Sequence, residues 1–198
     1  MTSTQTVMLP TGAPATAAMG LAERPQSLKG LRVGLLDNGK EFSDQVLEAL
    51  AQALRRDHGV TNIKFWRKGF PAKGAPFIAE MAAETDVAIS GVGHCGSSSP
   101  WSVIDAANLE KAGVPTVALI SRSFCPLGQI VARGEGHGSL AIVMLPHPIG
   151  DADPAKIARK GVDAAAECVR LLTTPGETVG AEYAAKKFPL PEHAVPRG

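Results

Sequence analysis

Cysteine is scarce in this sequence: Cys95, Cys125 and Cys168 are the only three among 198 residues. An odd, widely spaced set does not form a disulfide framework, and no Cys-x-x-Cys pair of the kind that binds zinc is present. Charge of one sign is missing too. Twenty Lys and Arg against nineteen Asp and Glu leave a formal net charge of +1. No basic cluster is long enough to follow a phosphate backbone, so nucleic acid is not an expected partner. No apolar run could span a bilayer, and residues 1–26 lack the charged start and apolar centre of a secretory leader. The expectation is therefore a protein with no membrane partner, in a reducing cytoplasm.

What is present suits a single globular domain. The composition is 44% hydrophobic and 20% charged, and 198 residues can bury a core without a disulfide or metal staple. Apolar runs at 31–36, 62–66, 86–92, 114–120 and 140–145 read as strands, continuous rather than alternating, as in parallel sheets covered on both faces. Helical spacing recurs at 41–58, near 76–84, from about 100 to 113 and from about 154 to 172; Phe42, Val46, Leu50 and Leu54 share one face of the first. Five strands alternating with about five helices predict an α/β fold, a flavodoxin-like doubly wound, mainly parallel five-stranded sheet in a single domain. Residues 1–29 read as a mobile N-terminal arm or one that packs on a neighbouring subunit, residues 30–174 as the α/β catalytic domain, and residues 175–198 as a C-terminal tail. The arm has no evident place in the core, so a homo-oligomer is expected.

In such sheets ligands bind beyond the carboxyl ends of the strands. The first of those loops, Asp37-Asn38-Gly39-Lys40, has no Gly-x-Gly-x-x-Gly, no Walker-type Gly-Lys-Ser/Thr and no Ser/Thr-rich phosphate loop of the flavodoxin kind, so no cofactor is expected. The loop Gly91-Val92-Gly93-His94-Cys95-Gly96-Ser97-Ser98-Ser99 carries more information. Its glycines allow close approach of a ligand to the main chain, and Ser98 or Ser99 can cap a helix beginning at Pro100. Cys95 then faces a helix N-terminus, whose partial positive charge and N–H groups stabilise a thiolate and can also hold an oxyanion. A small buried hydrophobe is the bland alternative for Cys95.

His147 and His94, both at strand ends, are the candidate general bases, with His147 slightly preferred. Substrate contacts are expected from Gly93, Gly96, Ser97, Ser98 and Ser99, from Asp37 and Asn38, and from Ser121 and Arg122, the last as a carboxylate clamp. Asp105 either orients a loop or favours a helix start. Cys168 lies on the apolar stripe of the last helix and reads as core, Cys125 stays open between a second thiol and a packing role, and His137 lies in a glycine-rich run that reads as a solvated loop or a lid. His58 and His193 read as surface residues.

The stretch Gly93-His94-Cys95-Gly96-Ser97-Ser98-Ser99-Pro100-Trp101-Ser102-Val103-Ile104-Asp105-Ala106, continuing through Leu109-Glu110-Lys111-Ala112-Gly113-Val114-Pro115-Thr116-Val117, resembles the UGSC family, named for a selenocysteine–Gly–Ser–Cys motif. The resemblance extends from about Leu31 to Leu172. It places Cys95 at the selenocysteine position, which implies a nucleophilic or redox-active chalcogen, and it implies a fold reminiscent of selenoprotein reductases acting on small amino-acid derivatives. Ser98 stands where the motif's final cysteine would be and cannot act as a resolving thiol. Three functions follow as expectations. The first is a cysteine-dependent, cofactor-independent hydrolase or lyase acting on a small polar metabolite through Cys95. The second is a thiol oxidoreductase or reductase component using Cys95 with Cys125 or a partner's thiol. The third is a non-catalytic anion-binding or assembly subunit.

Overall fold

The computed structural model describes residues 19–69 and 71–190. Its strands are β1 (Arg32–Asp37), β2 (Asn62–Arg67), β3 (Val87–Gly93), β4 (Thr116–Ser121) and β5 (Ala141–Leu145). They form one sheet in the order β2-β1-β3-β4-β5, and every pairing is parallel. That is the flavodoxin-like doubly wound order expected from the alternation of apolar runs. Every residue of β3 and β4 is buried, because helices cover both faces of the sheet; a continuous apolar run is what such strands require.

Six helices occur among the described residues: α1 (Ser43–His58), α2 (Ile78–Glu84), α3 (Ser98–Lys111), α4 (Cys125–Gly134), α5 (Pro154–Thr173) and α6 (Gly176–Ala185). α1 packs against α5 on one face, while α2, α3 and α4 lie side by side on the other. Gly161 of α5 sits against the backbone of α1 at Val46, where any Cβ would overlap the Val46 carbonyl, so the crossing of the two helices depends on that glycine. Cys168 is fully buried on α5, in the core as expected.

The arm and tail read in the sequence are described only in part. Residues 1–18 and 191–198, with His193, lie outside the described residues. Residues 19–30, however, pack on their own domain. The Arg24 guanidinium grips the Glu110 carboxylate at 2.7 and 3.0 Å with both side chains fully buried, and Glu110 also accepts the N–H groups of Ala22 (2.7 Å) and Thr116 (2.8 Å). A buried carboxylate is tolerated only when so satisfied, and here that requirement ties the segment before β1 to α3 and β4. At the other end α6 buries Val179 and Tyr183, and the Tyr183 hydroxyl donates to the Ile142 carbonyl at 3.0 Å, covering part of the β5 edge. Among the described residues no helix is long and apolar enough to cross a membrane.

His137 is also placed differently from a solvated loop or lid. It is fully buried, its N–H donates to the Ala132 carbonyl and its own carbonyl accepts from Leu140, both at 2.8 Å. Paired this way, the glycines make a tight connection into β5 at the sheet end opposite the Cys95 loop.

Candidate active site

The sheet order reverses between β1 and β3, and in doubly wound folds the crevice beyond the carboxyl ends at that point is where ligands bind. The loop carrying Cys95 leaves β3 there. A Cβ on Gly93 would lie 2.7 Å from Ser99 Cα and 2.9 Å from Ser99 Oγ, so only glycine lets the first turn of α3 lean against the strand end. The helix starts at Ser98, two residues earlier than the sequence suggested, and Pro100 in the first turn costs no hydrogen bond because N–H groups there have no helical partner.

Two of those orphan donors are taken up by Cys95 itself. The Ser98 N–H points at the Cys95 sulfur at 3.3 Å, the Ser99 N–H donates to the Cys95 carbonyl at 3.2 Å, and the Trp101 N–H reaches the Ser97 carbonyl at 3.5 Å. The thiol thus occupies the place of a capping side chain. The hydroxyls of Ser98 and Ser97 lie 2.9 and 3.5 Å from the sulfur. Ser98 Oγ accepts the His94 N–H at 3.1 Å, which leaves its proton free to point at the thiolate. Partial burial pushes the Cys95 thiol up, but hydrogen bonds from the hydroxyls and backbone N–H groups of Ser97 and Ser98 outweigh it and bring the pKa down to about 7. Replacing Ser98 by Ala should raise the midpoint of Cys95 alkylation by about 1 pH unit, the worth of one hydrogen bond to a charged group. An unchanged midpoint, read from rates against a pH series, would remove the hydroxyl from the explanation.

The two histidines are held differently. His94 Nε2 lies 3.0 Å from the Glu41 carbonyl, and since a carbonyl only accepts, Nε2 carries the proton and Nδ1 is left as the acceptor. Burial lowers the His94 pKa, the Glu41 carbonyl works against that, and nearby Lys40 and His147 lower it further, leaving it below the ordinary histidine value. His147 is exposed beyond β5; its Nδ1 meets Ser121 Oγ at 3.2 Å and its ring packs edge-on against Phe124. Among the described residues neither imidazole is hydrogen-bonded to Cys95. Glu41 adjoins Phe42, whose φ of 66° is a strained conformation for a bulky residue; its ring fills the space beside Gly150 and joins the loop after β1 to the loop after β5.

Several expected substrate ligands are occupied within the fold. All four hydrogen-bonding positions of the buried Asn38 amide are used: it donates to the Val92 carbonyl (2.8 Å) and Ser102 Oγ (2.9 Å), and accepts from the Lys40 N–H (3.0 Å) and Ser43 Oγ (2.9 Å). Asn38 therefore fixes the end of β3 from which the Cys95 loop departs. Asp37, buried too, accepts the Gly39 N–H at 2.8 Å and faces Arg67 at 3.4 Å; burial nonetheless holds its carboxyl above the usual range. Ser121 is fully buried against His147, Ser99 is buried without a hydrogen-bond partner for its hydroxyl, Gly96 and Ser97 are exposed, and Arg122 is exposed at the end of β4 with no ion pair among the described residues.

Cys125 is fully buried at the start of α4, directed at the carbonyls of Ile120 and Ser121, and burial pushes its thiol up to about 12. Asp105 orients a loop, but the one after β2: its carboxylate pairs with the buried Lys68 ammonium and accepts the Ala75 N–H at 2.8 Å, while Lys68 also donates to the Lys73 carbonyl at 2.6 Å. Sequence reasoning missed Lys68, Ser43 and Ser102, for none stands out until the chain folds. Among the described residues no three His, Cys, Asp or Glu side chains gather as a metal site.

The model of the UGSC family matches residues 6–174. The chain belongs to the UGSC family. The match takes in the whole sheet, the Cys95 loop and both histidine-bearing strand ends, so the site just described lies inside the region that defines this UGSC protein. No curated protein matches the chain.

Proposed function

We propose that this UGSC protein is a cysteine-dependent, cofactor-independent hydrolase or lyase acting on a small polar metabolite, with Cys95 as the nucleophile. The observation that carries this reading is the set of donors from Ser97 and Ser98 converging on the Cys95 sulfur at the N-terminus of α3. A thiol held near pKa 7 is substantially thiolate at neutral pH while remaining nucleophilic. In the hydrolytic case the sulfur forms a bond to an electrophilic carbon as the leaving group departs. Water then attacks that carbon, the S–C bond breaks and the thiolate returns. His94, whose neutral form has Nδ1 open as an acceptor, is suited to take the proton from that water, and its Nε2–H bond to the Glu41 carbonyl supports the cation that results. The cationic side chains of Lys40 and Arg122, in the loops beyond β1 and β4, favour a carboxylate-bearing substrate.

Two observations weigh against the alternatives. A redox cycle with Cys125 needs a thiol that can form a thiolate and reach Cys95, and Cys125 is buried with its pKa pushed up. An anion cradle at α3 needs unengaged N–H groups, and those of Ser98, Ser99 and Trp101 are engaged within the loop. The test is turnover with reductant removed after an initial reduction and oxygen excluded, on whichever small carboxylates or amides give product. Cys125→Ser should keep most of the activity, and the wild type should run through many cycles. A wild-type burst that stops at about one equivalent per enzyme and resumes with added thiol would replace this reading by the redox one.

A further inference from the structure

The hydroxyl of Ser121 has one visible task. Its residue is fully buried at the end of β4, and among the described residues Oγ meets a single side-chain partner, Nδ1 of His147, at 3.2 Å. A serine hydroxyl brings one proton and two lone pairs, and a buried O–H that does not donate is left unsatisfied. If His147 Nδ1 carried the proton, the Ser121 proton would have no acceptor. The neutral ring is therefore locked with Nδ1 as acceptor and the proton on Nε2, at the side of the ring that no described residue engages. Phe124, packed edge-on at 5.8 Å between ring centroids, restricts rotation of the imidazole away from Ser121.

The opposite arrangement holds at His94, where the Glu41 carbonyl fixes the proton on Nε2 and leaves Nδ1 open. One ring thus keeps an unengaged lone pair and the other an unengaged N–H among the described residues. We propose that Ser121 is a positioning residue, not a substrate ligand: it sets the tautomer of His147 so that Nε2–H is a standing hydrogen-bond donor at the mouth of the Cys95 site, complementary to an acceptor oxygen of the substrate, while His94 serves as the proton acceptor. This division of labour deepens the nucleophile reading and rests on it for its purpose, but the tautomers themselves do not depend on any reaction.

The experiment is long-range proton–nitrogen NMR on the full-length protein labelled uniformly with nitrogen-15, at a pH where the histidine rings are neutral, which separates the protonated and unprotonated ring nitrogens of each residue. In the wild type His147 and His94 should each show a protonated Nε2 and an unprotonated Nδ1. Ser121→Ala should turn His147 into a rapidly exchanging mixture while His94 stays unchanged, and Ser121→Thr, which keeps a hydroxyl, should restore the single tautomer. A purely packing role for Ser121 would leave the His147 nitrogens unmoved in the alanine variant. A wild-type His147 protonated on Nδ1 overturns the proposal without any variant, so misfolding of Ser121→Ala does not shelter it. The rate of Cys95 alkylation by iodoacetamide, followed over pH in the same samples, keeps the two readings apart: an unshifted thiol with correct tautomers defeats the nucleophile and not the positioning, and a shifted thiol with the wrong His147 tautomer does the reverse.

Discussion

Replacing Cys95 by serine should lower turnover by about 10^4-fold or more on any substrate the wild type processes, a loss of the size seen when a covalent nucleophile is removed. The fold should hardly notice. Cys95 caps α3 through its sulfur, and a serine oxygen at the same place can accept the Ser98 N–H in its stead. Stability should therefore remain within about 0.5 kcal/mol by urea unfolding. Alanine, which cannot cap, should cost about 1 kcal/mol in the same measurement. The ordering is the informative part: serine and alanine equally inactive but unequally stable. A serine variant that retains a tenth or more of the activity means that the sulfur is not the nucleophile.

The second large effect concerns stability. Asp105 and Lys68 are both almost wholly buried, and their ion pair, with the Ala75 N–H and Lys73 carbonyl, ties the loop after β2 to α3, the helix that follows the Cys95 loop. Asp105→Ala leaves a buried ammonium with no counter-charge, which should cost about 3–5 kcal/mol, a large share of the roughly 5–15 kcal/mol that holds a typical domain together. Replacing both partners at once, Lys68→Met with Asp105→Leu, should cost much less, because no uncompensated charge remains. Urea midpoints at constant slope give both numbers. If Asp105→Ala is no worse than the double replacement, the pair is not what fastens the loop.

The frame of the fold was legible because the buried strands are continuous apolar runs and α1, α3 and α5 carry strong periodicity or clear breakers at their ends. α4 and α6 were not. α4 opens on Cys125-Pro126 and holds Gly128, and α6 starts after Pro175 and holds Gly176 and Gly180, so local propensity argues against both. They form because burial decides: Cys125 and Ala132 of α4 and Val179 and Tyr183 of α6 join the main hydrophobic core. The glycines around His137 looked like a flexible loop for the same reason, since glycine signals permissive backbone whether a segment is loose or tightly turned.

At the site, the position of Cys95 at a strand-to-helix junction followed from pattern, and the structure puts it at that junction with its sulfur among the donors of Ser97 and Ser98. The partners of the other polar residues did not follow. Asn38 and Asp37 sit in a strand-end loop, where ligands bind, yet beside the local N–H groups of Lys40 and Gly39 their partners include residues far along the chain: Val92 and Ser102 for one, Arg67 for the other. The Lys68–Asp105 pair spans α3 and the loop after β2 in the same way. Single-sequence reading shows which residues could do chemistry, and only the fold shows which of them are already spoken for.

The nucleophile stands or falls on one property of the thiol. Cys125 and Cys168 are fully buried and should not react in the folded protein, so the rate of iodoacetamide incorporation reports Cys95 alone, with peptide mass mapping to confirm the site. Followed from pH 5 to 10, that rate should rise with a midpoint of about 7. A midpoint at or above about 8.5, the ordinary value for a free thiol, would mean that Ser97 and Ser98 do not hold a thiolate, and Cys95 would have no claim to be the nucleophile.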